Sequence, residues 1–236
     1  MIKKEIKLKE NLLGSASIET SKANISVYSD NITDPILQYT ITEEYKDLAF
    51  RIWDWDSHSF SLTEWSTWLK IYPVLSNPNI LSPIRGEKPI NEECETTIDL
   101  IVPRKIINNF SLFVDSDFGS VTLNDIALSN ARIITRSGDI SLNGTKFRGI
   151  ILTESGNITL RNTNVESAEF QTHNGDIDAE VIGSPDDFGR CLFPPYEVVS
   201  IKNDKDEIQP TAFSKKRKLS TSSRYGNIDM RFNDKR

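Results

Sequence analysis

The sequence is poor in the residues that most catalytic sites draw on. Its 236 residues include two histidines, His58 and His173, and two cysteines, Cys94 and Cys191. A Ser-His-Asp or Cys-His arrangement would have to use one of those two imidazoles. The cysteines lie far apart and form no CxxC pair or zinc spacing, so they read as two free thiols. No stretch approaches the ~20 apolar residues of a membrane span. The opening residues, MIKKEIKLKENLLG, carry charge with no apolar run behind it, and Glu5 and Glu10 do not suit an acid-poor presequence. The expected location is therefore cytoplasmic. Positive charge is also short: 28 Lys and Arg face 34 Asp and Glu, a net charge of -6. That balance lacks the clustered positive face that nucleic acid requires.

Against these absences stands one repeated phrase. Residues 131–179 read ARIITRSGDISLNG, then GIILTESGNITLRN, then AEFQTHNGDIDAE. Each copy has apolar residues, Thr, one residue, Ser or Asn, Gly, Asp or Asn, Ile, one residue and an apolar residue. The glycines Gly138, Gly156 and Gly175 are 18 and 19 residues apart, and Gly119 precedes Gly138 by 19. ASIETSKANISV, with Ala23 in the Gly place, and STSSRYGNIDM, with Gly226, extend the series at both ends. The six copies are residues 16–27, 112–123, 131–142, 149–160, 168–179 and 219–230. So regular a step makes each copy one turn of a stack.

Alternation fixes which side chains face inward. Ile140 and Leu142 are two apart and share a face; Ile158 and Leu160, Ile177 and Ala179, Val121 and Leu123, and Ile25 and Val27 repeat the pair. In the first half of a copy, Ile133 and Thr135 face one way, Ile134 and Arg136 the other. An isolated coil cannot bury its inward row, but coils stacked at ~4.8 Å can. The expected fold is all-β: a single-stranded parallel β-solenoid of about six short coils. An antiparallel meander competes, yet it need not place one turn phrase every 18 or 19 residues. The glycines are expected to supply a backbone angle closed to other residues, with the following Asp or Asn capping the turn. The structural corner is thus Gly119, Gly138, Asp139, Gly156, Asn157, Gly175, Asp176, Gly226 and Asn227.

Two segments depart from the repeat. Residues 36–97 are a Trp-rich excursion in which ILQYTITEEY and LAFRIWDWD alternate as strands, SLTEWSTWLKIYPV has helix-like or irregular spacing, and 76–93 is Pro-rich loop. ETTIDLIVPRKI then resumes a strand. Residues 183–218 read as an inserted surface loop, because Gly175 and Gly226 are 51 residues apart and one coil needs about 19. The whole chain, 1–236, reads as one domain.

The Ile-Asp-Leu-Ile-Val-Pro stretch at 98–103 and the repeated T-x-S-G-D-I-x-L at 135–142, 153–160 and 172–179 resemble the DUF4097 "putative adhesin" family of β-strand repeats, related to the GIN-type head domain. The resemblance covers most of 14–182 and resumes at 219–232. It implies a β-strand-repeat fold and an adhesin-like role, and it carries over no catalytic motif.

Four features carry candidate chemistry. The corner column Asn24, Ser120, Asp139, Asn157, Asp176, Asn227 could offer carboxylates to calcium, but its mixed occupancy reads as turn capping, and no metal or cofactor is expected. His58, near Asp54 and Asp56, reads as a polar turn, and the row Arg136, Glu154, His173 as cross-strand polar pairs. Trp53, Trp55, Trp65 and Trp68 could stack on sugar rings or cover one apolar end of the stack. The run Lys215, Lys216, Arg217, Lys218 reads as a nuclear signal, as a phosphosite with Arg217 three residues before Ser220, or as a solvated loop. Five N-x-S/T sites, at Asn24, Asn31, Asn109, Asn143 and Asn157, reflect a strand vocabulary rich in Asn, Ser and Thr.

The favoured function is a non-catalytic interaction or scaffold module for a protein partner, not an enzyme. The alternatives are a carbohydrate-binding or carbohydrate-active β-helix protein and a subunit that assembles end to end.

Overall fold

The computed structural model describes residues 2–7, 15–41, 50–56, 59–64, 96–105, 110–184, 187–188, 199–201 and 217–233. These residues form β1 (Ile2–Lys7), β2 (Ser15–Asp30), β3 (Ile36–Ile41), β4 (Phe50–Asp56), β5 (Ser59–Glu64), β6 (Thr96–Pro103), β7 (Phe110–Phe118), β8 (Val121–Asn124), β9 (Leu128–Ser137), β10 (Ile140–Asn143), β11 (Lys146–Ser155), β12 (Ile158–Asn174), β13 (Ile177–Ile182), β14 (Val199–Ile201), β15 (Lys218–Ser223) and β16 (Ile228–Asn233). They make one curled, mostly parallel sheet, a β-solenoid-like stack.

Two walls meet at the Gly corner. The first wall runs from the N-terminal half of β2 through β7, β9, β11 and the C-terminal half of β12 to β15. The second runs from the C-terminal half of β2 through β8, β10, the N-terminal half of β12 and β13 to β16. Registers are those of the aligned repeats: Ile25, Val121, Ile140, Ile158, Ile177 and Ile228 form one column. Ile18, Val114, Ile133, Ile151, Phe170 and Thr221 form another on the first wall. All twelve are buried. Phe110, Leu128, Phe147 and Val165 close the interior from the short third side, and all four are buried. Burying one such side chain fully contributes roughly 1.5–3 kcal/mol, so the columns outweigh any single surface pair.

The non-repeating strands finish the two ends. β6 pairs β2 in parallel on the side away from β8, β3 pairs β6 antiparallel, and β1 pairs β3 antiparallel. β4 and β5 form an antiparallel pair, and β5 lies parallel on β2. Residues 61–64, which open a segment expected to have helix-like or irregular spacing, therefore extend as strand. At the other end β14 pairs β16 in parallel, so part of the expected 183–218 loop continues the second wall. That insertion is fastened at its base. Phe188 is buried against Phe232 with ring centroids 5.6 Å apart, and the Arg217 guanidinium lies over the Phe188 ring and donates to the Ile182 carbonyl.

The corner glycines are required for a different reason from the one expected. A Cβ on Gly138, Gly156, Gly175 or Gly226 would lie 1.9–2.2 Å from the carbonyl oxygen of the corner glycine one coil below. Close stacking of backbone on backbone, not a left-handed angle, demands glycine at these four positions. Gly119 sits in the same way on Ala23, beneath which the next strand is β6, and its φ of 125° also gives it the backbone angle expected from the sequence. The left-handed angle appears at the opposite corner, at Asp125 (φ 49°), Gly144 (φ 61°) and Asn162 (φ 50°), three residue types that tolerate it.

At four of the six corners an Asx side chain caps the coil above. Asn24 Oδ1 accepts from the Ser120 N–H at 3.0 Å, Asp139 from Asn157 at 2.7 Å, Asn157 from Asp176 at 2.9 Å and Asp176 from Asn227 at 2.7 Å. Replacing Asp139 by alanine removes one rung while the backbone register stays. The expected loss is about 1 kcal/mol in a urea titration, with Asp139→Asn close to wild type, since the amide oxygen also accepts.

Inside the same corner runs a column of hydroxyls: Thr20, Ser116, Thr135, Thr153, Thr172 and Ser223, all buried. Thr172 and Ser223 donate at 2.9 Å to the carbonyls of Gly156 and Gly175, and Thr153 reaches the Gly138 carbonyl at 3.4 Å. These side chains satisfy buried corner carbonyls, which explains a Thr where alternation alone would place Val. The repeat shows the column; its polarity makes sense only once the carbonyls beneath it are placed.

Candidate interaction face

The first wall turns a broad face outward, and its outward residues fall in three rows across the coils. Nearest the Gly corner are Asp117, Arg136, Glu154, His173 and Arg224. The middle row is Glu19, Asp115, Ile134, Leu152, Gln171 and Ser222. The third is Ser17, Phe113, Arg132, Ile150, Glu169 and Ser220. Between the corner row and the middle row lies an open trough of about 750 Å³ that follows the stack from Asp115 to Ser222.

One side of that trough is apolar at its centre, where a solvent face would ordinarily be polar. Ile134 and Leu152 are direct cross-strand neighbours and only half-buried. Phe113 and Ile150, beside them, are each 38% exposed. Such residues scattered singly need no explanation, but four clustered over three coils form a patch. Each lies at an ordinary outward position of its own strand. Alternation had already turned Ile134 outward; only the register brings the four together.

Charge is distributed unevenly along the stack. At the β2 end Glu19 stands opposite Asp115, with Asp117 close by. Burial first, and then Asp115 and Asp117, push the Glu19 carboxyl above the usual glutamate range. Arg136 offsets part of this, 3.4 Å from Asp117 and 3.9 Å from Glu154. At the β15 end, His173 meets the exposed Tyr225 edge to face at 5.3 Å, and Arg224 lies over the same ring. The row Arg136, Glu154, His173 is thus solvent-facing, and its first two members pair with each other.

The raised Glu19 value has a sign. An acid whose folded pKa exceeds its unfolded value destabilises the fold fully above the folded pKa, less as pH falls through it, and not at all below the unfolded pKa. Glu19→Gln is therefore expected to stabilise the protein at pH 7 by roughly 0.2–1 kcal/mol, the size of a cross-strand pair. The gain should disappear in urea titrations at pH below the ordinary glutamate range. Asp178 behaves oppositely: hydrogen bonds from Arg161 and Arg231 hold its carboxyl below the usual aspartate range.

The other residues singled out in the sequence fall elsewhere. Trp53 and Trp55 lie on β4, whose backbone pairs β5. Trp65, Trp68, His58, Cys94, Cys191, Lys215 and Lys216 lie outside the described residues. Arg217 is half-buried on Phe188, and Lys218 opens β15. The corner residues Asp139, Asn157, Asp176 and Asn227 form the hydrogen-bond ladder described above. Among the described residues, no group of three or more His, Cys, Asp or Glu side chains is arranged to hold a metal ion. None of their helices is long and apolar enough to cross a membrane.

Comparison with known proteins adds to this picture. No curated protein matches the chain. Three solved structures align with it along nearly its whole length. One is a putative cell adhesion protein from Clostridium sporogenes, 9% identical, covering 98% of this chain and 99% of that one at a TM-score of 0.44. Another is a putative adhesin from Bacteroides fragilis, 13% identical, covering 97% and 96% at 0.41. The third is a putative adhesin from Parabacteroides distasonis, 11% identical, covering 97% and 96% at 0.41. A family model described as Toastrack DUF4097 matches residues 97–190. That match falls on the middle of the stack and is to the family the sequence resembles: residues 97–190 are similar to Toastrack DUF4097.

Proposed function

We propose that the protein is a non-catalytic interaction module that binds a protein partner through the outer face of its first wall. One observation carries the reading. Phe113, Ile134, Ile150 and Leu152 form an apolar patch on the side of the wall opposite the core, ringed by charged and polar side chains. A desolvated apolar centre with a polar rim is the anatomy of a protein-binding surface. The charged row beside it supports binding over chemistry, because Asp117, Arg136 and Glu154 engage one another.

Affinity purification from the native cell tests the proposal, with wild-type protein and Leu152→Glu as paired baits. Leu152 points outward, so the variant is expected to keep the wild-type urea midpoint. The expected result is a partner recovered with wild type and lost with Leu152→Glu. Equal recovery by both baits, or no partner with either, overturns it.

A further inference from the structure

We infer that the trough on the first wall is a receptor for an extended peptide with an apolar centre, a basic residue at one end and an acidic residue at the other. The inference rests on the interaction reading above and names the partner chemistry. Three observations lead to it. The first is shape: the trough is open and elongated, and it runs along the stack between the corner row, with the long side chains of Arg136 and Glu154, and the middle row, with Ile134 and Leu152. A folded protein's flat surface would bridge such walls, whereas a single extended chain enters between them.

The second observation is length. Asp115 to Ser222 spans five coils, so the trough is roughly 19 Å long at ~4.8 Å per coil. That distance holds about six residues of extended chain at ~3.3 Å each. The third is the order of chemistry along the trough. Asp115 lies at one end, with Glu19 next to it in the first coil, Ile134 and Leu152 in the centre, and Gln171 and Ser222 at the other end with Arg224 and His173 beside them. Arg136 is the cation paired with Asp117, so the Asp115 carboxylate faces the end of the trough with Glu19 beside it, like charge against like. A lysine or arginine there relieves that repulsion. A side-chain or C-terminal carboxylate at the far end meets Arg224. Apolar side chains between them cover Ile134 and Leu152. Charge at the ends then sets the register and orientation, and the apolar centre supplies affinity.

A phage-displayed random heptapeptide library, selected on the immobilised full chain, tests this. The expected outcome is enrichment of peptides with Lys or Arg at one end, Asp, Glu or the free carboxylate at the other, and apolar residues between. Leu152→Glu should cut recovery of the enriched phage at least about tenfold, corresponding to ~1.4 kcal/mol. Asp115→Lys should shift the preference at the basic end toward acidic residues, a change that unfolding would not produce. Ile134→Ser serves as a second variant of the apolar side, and all variants are compared at equal urea midpoints. No enrichment, or enrichment unaffected by Leu152→Glu and Asp115→Lys, overturns the inference. If a cellular partner depends on Leu152 but no heptapeptide is enriched, the peptide inference fails while the interaction reading stands. If neither is found, both fail.

Discussion

Replacing Gly156 by alanine is expected to destabilise the protein by about 3 kcal/mol, the upper end for overpacking a close-packed site. For a chain of this size, a shift in Tm of roughly 6–12 °C follows. The added Cβ would lie 2.2 Å from the Gly138 carbonyl oxygen, and the obstacle is backbone, which cannot swing aside as a side chain would. Relief requires the two coils to part, and parting them weakens the ladder on both walls. Gly175 and Gly226, where an added Cβ would lie 2.0 and 1.9 Å from the carbonyl oxygens beneath, should respond alike. Ala23 provides the contrast. It holds the same place in the first coil and already carries a Cβ, so Ala23→Gly should cost no more than about 1 kcal/mol, through chain entropy. Thermal unfolding of the four variants separates the two explanations for the glycines. If Gly156→Ala melts with wild type, close stacking is not what the corner requires.

Phe170→Ala is expected to cost about 3–5 kcal/mol, the range for removing a buried aromatic ring from a core. Phe170 is fully buried and lies 5.6 Å from Phe147, itself fully buried, with the rings tilted 37°. It occupies the column that holds Ile133 and Ile151 in the two coils before it and Thr221 in the coil after. The interior of a short solenoid is one side-chain layer across, so no second shell can collapse into the vacated volume. Phe170→Leu should recover most of the loss, because it refills most of the space. Urea titrations of both variants read this directly. A loss below about 1 kcal/mol for the alanine variant would show that the coils close over the gap.

The two effects differ in how far the chain announces them. The glycine positions are plain in the sequence, because a period of 18 or 19 residues is a local property of the string. Their cause is not, because a clash between Gly156 and Gly138 exists only after one coil has been laid on another. The same holds for the buried Thr column. Thr135, Thr153 and Thr172 repeat visibly, but the corner carbonyls they serve belong to the glycines of the repeat and are placed only by the stack. The Asx ladder was legible as turn capping, yet its bonds run between coils, up to 96 residues apart for Asn24 and Ser120.

The interaction face was the least legible feature. Phe113, Ile134, Ile150 and Leu152 come from β7, β9 and β11, and each outward apolar residue looks incidental within its own strand. The sequence drew attention instead to tryptophans and a basic run, which are conspicuous because they break the repeat. Arg217 of that run proved to be a fastening for the insertion, packed on Phe188.

By itself, then, the sequence determined the period, the inward and outward alternation and the parallel stacking of six coils. Those follow from a hydrophobic row that no single coil can bury and that repeats at one step. Only the tertiary structure decided how the ends are finished, with β6 and β3 beneath the first coil and β14 beyond the last. It also decided that corner glycines answer to the coil below and that four outward apolar side chains share one face. The physical reason is the same in each case. Register between coils is set by backbone pairing across long sequence separations, and neither a steric contact nor a surface patch exists until that register is fixed.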